Sequence, residues 1–137
     1  MANTAPIFSS AGDVQWGPTT ATTANVALDG TGTVMTVFTA DTTNGGFVQR
    51  IRFRPAGTNV ATVARVFINN GLTNTTASNN ILWDEITLAA TTASANSALP
   101  TYELPLNFAL PPGYKLNVTL GTSVAAGYYV TVIGGKY

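Results

Sequence analysis

Apolar and polar residues alternate along most of this chain, and short polar clusters interrupt the alternation. Successive side chains of a strand point to opposite faces, so a period of two predicts half-buried β-strands. Runs of this kind cover residues 24–28, 33–39, 47–54, 60–68, 81–88, 102–110, 114–120 and 128–133. Turn chemistry separates them: Asp29-Gly30-Thr31-Gly32, Thr43-Asn44-Gly45-Gly46, Pro55-Ala56-Gly57, Asn69-Asn70-Gly71 and Pro111-Pro112-Gly113. Glycine, proline and asparagine supply the dihedral angles that tight turns need. Thr and Val, branched at Cβ, favour the pleated sheet. No helical period is visible.

Many short strands joined by polar turns pack as an all-β sandwich or barrel. Eight strands in this length predict a two-sheet β-sandwich of jelly-roll type. An immunoglobulin-like sandwich is the alternative, although the chain has no cysteine for a Cys…Trp…Cys pattern. Residues 1–23 read differently. They form a Thr- and Ala-rich lead-in, predicted as an extended N-terminal arm with a short strand near 14–16, ahead of a sandwich domain over 24–137. Ile7, Phe8 and Trp16 predict that the arm docks, on this domain or on a neighbouring subunit.

The run 47–54 carries the most informative chemistry. Strict alternation places Phe47, Gln49, Ile51 and Phe53 on a core-facing side, and Val48, Arg50, Arg52 and Arg54 on the other. Arg65, on the following strand, extends this stripe if the two strands pair. One reading is a set of cross-strand ion pairs with Asp84, Glu85 or Glu103. The sharper reading is a protein interface, because Arg is enriched at interfaces and binds carboxylates bidentately. Arg50, Arg52, Arg54, Arg65, Ile7, Phe8 and Trp16 are therefore the candidate interface residues.

Composition narrows the function. The 137 residues suit one domain, and only 9% of them are charged, with a net charge of zero. A typical soluble domain carries about 25% charged residues. Such a bare surface resists self-association poorly, which predicts that much of it is covered in the working state. With six basic residues balanced by six acidic ones, the chain lacks the basic excess of a nucleic-acid binder. No stretch reaches the length of a membrane span, and the N-terminus has no signal-peptide pattern. Synthesis in a cytoplasm, without a nucleic-acid or membrane partner, is the expectation.

Catalysis finds little support. Histidine and cysteine are both absent, which removes the commonest general base and thiolate ligands. Asp84 and Glu85 are adjacent, so on a strand they face opposite ways and do not form a glycosidase pair. Asp29-Gly30-Thr31-Gly32 lacks the Lys-Ser/Thr of a phosphate loop. No catalytic residue, cofactor or metal site is predicted. Trp83, Phe38, Phe53, Phe67 and Phe108 are expected in strand cores. Two uncharged polar loops, 72–80 and 89–98, and the tyrosines Tyr128, Tyr129 and Tyr137 leave a glycan-recognition module open as an alternative.

Several runs together resemble a known family. They are Arg65-Val66-Phe67-Ile68-Asn69-Asn70-Gly71, Ile81-Leu82-Trp83-Asp84-Glu85-Ile86, Leu110-Pro111-Pro112-Gly113-Tyr114-Lys115-Leu116 and Val130-Thr131-Val132-Ile133-Gly134-Gly135. The region 47–137 resembles the capsid decoration, or cement, proteins of tailed bacteriophages, small jelly-roll virion proteins. That resemblance implies a non-enzymatic role on the capsid exterior, bridging and stabilising subunits of the major capsid protein. It also implies a homo-oligomer, a dimer or trimer. The alternative is a phage tail or fibre module that recognises host-surface glycans.

Overall fold

The computed structural model describes residues 11–137. Their strands are β1 (Ala11–Trp16), β2 (Met35–Thr39), β3 (Gly46–Pro55), β4 (Thr62–Asn69), β5 (Asn80–Leu88), β6 (Tyr102–Leu110), β7 (Lys115–Leu120) and β8 (Tyr128–Lys136). A single 3-10 turn, Ala77–Asn79, precedes β5. The strands form two four-stranded antiparallel sheets, ordered β1-β8-β3-β6 and β2-β7-β4-β5. The result is an all-β sandwich. Its pairing is nested: first strand with last, second with seventh, third with sixth, fourth with fifth. Two further ladders, β3 with β8 and β4 with β7, complete the sheets.

Inward side chains of both sheets fill one core, with Phe38, Ile51, Phe53, Val66, Leu116 and Tyr128 almost wholly shielded from water. Burial pushes the Tyr128 phenol above its ordinary pKa, because water no longer solvates the phenolate. Near the turns, Asp29 and Asp41 lie below the ordinary carboxylate value. The Thr31 hydroxyl and backbone N–H bond the first (2.6 and 3.1 Å), and the backbone N–H groups of Asn44 and Thr43 bond the second.

Six of the eight expected runs differ from the observed strands only at their ends, and 102–110 matches β6. The run 24–28 is not a strand. Ala24 makes one isolated parallel bridge to Leu120, and the Asn25 side chain takes over the role of a ladder. Its amide donates to Thr31 O and Thr33 O and accepts from Ala27 N–H. Side chains of this type compete with regular pairing in this way.

Residues 24–34 instead form a strap on the outside of the β2-β7-β4-β5 sheet. Asn25 N–H donates to Leu120 O on β7 (2.8 Å), and Asn80 Nδ2 on β5 donates to Asp29 O (3.2 Å). Between these anchors the chain crosses β4. Asn74 Nδ2 adds bonds to Gly30 O and Gly32 O. Beneath the strap lie Phe67, Asn69, Asn117 and Thr119, which the register turns away from the core. They are nevertheless 0%, 1%, 3% and 4% exposed. Phe67 was expected in a strand core; it is buried, but under the strap.

Two amide side chains close the sandwich. Gln15 on β1 donates to Thr39 O and accepts from Thr39 N–H (2.9 Å each), as a paired peptide would, and so joins the two sheets at one seam. Asn59 pins the opposite loops together. Its Oδ1 accepts from Ala126 N–H and Gly127 N–H, its Nδ2 donates to Gly127 O, and its backbone pairs with Thr91. Asn59 is 4% exposed, so Asn59→Ala leaves buried backbone groups without partners. A loss of about 2–3 kcal/mol follows, measurable as a lower denaturant midpoint with an unchanged slope.

Candidate interaction surface

Among the described residues, no segment straps the outward side of β1-β8-β3-β6. Its side chains are set by the register of β3 on its neighbours. Opposite β8, residues Val48 and Arg50 meet consecutive residues Gly134 and Ile133, so Gln49 is an extra residue in β3. Such a bulge reverses the alternation of a strand at that point. Val48 consequently enters the core, and Gln49 is exposed. By register Phe47 falls on the outward side, half-buried. The expectation that Phe47 and Gln49 face the core and Val48 faces out is therefore corrected. Ile51 and Phe53 do face the core, and Arg50, Arg52 and Arg54 do face outward. Strand β6 answers with an irregularity of its own, where Asn107 has φ 55°.

Three rows of directly opposed residues build the face. Trp16, Thr131, Arg52 and Glu103 form one row across all four strands. Val14, Ile133, Arg50 and Pro105 form the next, and Tyr129 and Arg54 a third. With strands about 4.8 Å apart and rows about 7 Å apart, these backbone positions span roughly 15 Å each way. Trp16 is 69% exposed and Tyr129 58%. Trp16 and the three arginines, all candidate interface residues by sequence, thus share one face. Sequence patterning did not single out Val14 or Ile133, which nested pairing brings there from β1 and β8.

The arginines differ in how far they are engaged. Arg54 Nη1 donates to Thr101 Oγ1 (2.9 Å) and Leu99 O (3.3 Å). Arg50 stands 3.8 Å from Glu103, a loose contact. Arg50 Nε is buried without a hydrogen-bond partner. Arg52 makes no ion pair or hydrogen bond among the described residues. Two shallow hollows flank the centre of the face. One, of about 270 Å³, is lined by Gln49, Arg50, Glu103, Pro105 and Asn107. The other, of about 310 Å³, is lined by Arg52, Arg54, Pro55, Ala56, Tyr129 and Thr131.

The remaining expected residues lie elsewhere. Arg65 does not extend the stripe, because β3 and β4 belong to different sheets. It sits on the outward side of β4, 3.4 Å from Glu85 on β5. Ile7 and Phe8 lie outside the described residues. Trp83, expected in a core, is 48% exposed on the edge strand β5 and packs edge-to-face on Phe108 (4.9 Å, 72°). The polar loops 72–80 and 89–98 leave opposite ends of β5, about 30 Å apart for a strand of that length, and do not line a common site. Among the described residues no three acidic side chains gather as a metal site would need. A cleft of about 440 Å³ opens beside the strap between residues 18–23, 33–36 and 118–120, away from the arginine face.

Fold and face together describe a β-sandwich that covers one sheet with its own chain and, among the described residues, leaves the other bare. Among known proteins, no family model, no curated sequence and no solved structure matches this chain.

Among the described residues Arg52 anchors no other part of the fold by hydrogen bond or ion pair. Arg52→Gln is expected to change stability by less than about 0.5 kcal/mol, with thermal unfolding as the measurement. A larger loss reveals a structural contact for this guanidinium.

Proposed function

We propose that this chain is a structural virion protein: a decoration, or cement, protein on the exterior of a tailed-bacteriophage capsid. It binds major capsid protein subunits and holds neighbouring ones together. The observation that carries the reading is the asymmetry of the two sheets. The β2-β7-β4-β5 sheet is covered by residues 24–34, while the β1-β8-β3-β6 sheet presents Trp16, Tyr129 and the arginines to solvent. Trp, Tyr and Arg are the residue types that dominate binding energy at protein interfaces. The low charge of the rest of the chain fits a protein that works in contact with others.

The fold reading within this proposal is an eight-stranded jelly roll. Nested pairing supports it, since a long hairpin wrapped over itself yields two four-stranded sheets with Greek-key connections. An immunoglobulin-like arrangement keeps its first two strands in one sheet, whereas β1 and β2 lie in different sheets here. The protein acts as a dimer or trimer, and many copies on a lattice add avidity. The expected arm is then limited to the residues ahead of β1, with Ile7 and Phe8, which would add to the contact, because 11–16 are a strand of the sandwich itself. A tail or fibre module binding glycans is the weaker reading, because its two candidate loops are far apart.

Capsids assembled without this chain provide the test. Added protein is expected to bind them saturably and to raise their disassembly temperature. Absence of binding, with capsid stability unchanged, overturns the proposal.

A further inference from the structure

We infer that the bare face of the β1-β8-β3-β6 sheet recognises an extended acidic segment of a different protein, with carboxylates at alternate positions. This deepens the docking reading above and rests on it.

Spacing is the first argument. Arg50, Arg52 and Arg54 follow one another at every second residue on the outward side of β3. Their positions repeat about every 7 Å, the distance between alternate residues of any extended chain. A segment lying along β3 therefore offers one carboxylate to each guanidinium only if its acidic residues also alternate. Donor capacity is the second. Arg52 has no hydrogen bond or ion pair among the described residues, and Arg54 uses only Nη1. The rows set a single carboxylate, Glu103, against three guanidinium groups, so the face has an excess of positive charge in a chain that is neutral overall. Shape is the third, because one hollow sets Arg52 and Arg54 beside Tyr129 and Thr131 with no carboxylate in its lining, while the other holds Arg50 with Glu103, Gln49 and Asn107.

A second copy of this chain does not fit. Its acidic residues are Asp13, Asp29, Asp41, Asp84, Glu85 and Glu103, and none of these stands two positions from another. The occupant is therefore another protein. Nucleic acid, which also repeats anions at short intervals, serves as the control.

The full chain, labelled with ¹⁵N, is titrated at low salt with two blocked peptides of equal composition. One alternates, Glu-Thr-Glu-Thr-Glu-Thr, and the other groups its acids, Glu-Glu-Glu-Thr-Thr-Thr. A thymidine hexanucleotide is the third probe. The alternating peptide is expected to move the amide signals of residues 50–54 and 129–133, and to bind about fivefold tighter than the grouped one. Arg52→Gln weakens it by about tenfold, while Arg65→Gln, on the other sheet, leaves it unchanged. Equal binding of the two peptides, no shift with either at millimolar concentration, no effect of Arg52→Gln, or tighter binding of the oligonucleotide overturns the inference. Capsid binding that survives Arg52→Gln overturns this inference alone. Peptide binding without capsid binding overturns the capsid reading alone.

Discussion

Strands β3 and β8 pair along nearly their whole lengths at the centre of one sheet, and the register between them governs what that sheet shows to each side. The extra residue Gln49 is the decisive feature. Before it, Val48 points inward; after it, Ile51 and Phe53 point inward and the arginines outward. A regular ladder would put either Val48 in water or three guanidinium groups in the core. Isolated buried ions are far costlier than an interrupted ladder. Gly134 makes the bulge sterically feasible, since a Cβ there would collide with the Phe47 carbonyl. The face is thus a consequence of core packing, and its arginines are held by a backbone that has no freedom to turn them inward.

The same economy explains why the two sheets differ. Each has an outward side that must be wetted or covered. On the β2-β7-β4-β5 sheet that side carries Phe67, whose burial is worth about 2–3 kcal/mol, and the strap supplies the cover. Asn25, Asn74 and Asn80 hold the strap through carbonyl groups, which satisfies backbone that no ladder pairs. Among the described residues no comparable segment crosses the arginine side. Trp16 and Val14 remain largely in solvent there although they sit in a well-paired strand. An ordered strand with apolar side chains in water has the character of one half of an interface.

Local patterning was enough to locate the strands, because turn residues and period-two alternation are short-range signals. It also located the arginine stripe, for Arg50, Arg52 and Arg54 lie beyond the bulge, where alternation is regular. It misplaced Phe47, Gln49 and Val48, since nothing in the sequence around Gln49 distinguishes a bulge from a regular step. Strand order was out of reach for a different reason. That Arg65 lies on the opposite sheet follows from pairings between residues distant in the chain, such as Val66 with Val118. The run 24–28 has strand-like residues, but it makes a single bridge, to Leu120, and the Asn25 side chain takes the bonds that a ladder would make. Trp83 is exposed because it is the extra residue of a bulge on the edge strand β5, between the pairs Asp84–Val66 and Leu82–Phe67, a fact of register and topology.

The central claim is that the bare face, and not the strapped one, meets the partner. Hydroxyl-radical footprinting of the chain, free and bound to capsids lacking it, tests this directly. Trp16 and Tyr129 are expected to lose reactivity on binding while Val26 and Leu28 on the strap keep theirs. Protection of Val26 and Leu28, with Trp16 and Tyr129 unchanged, would contradict it.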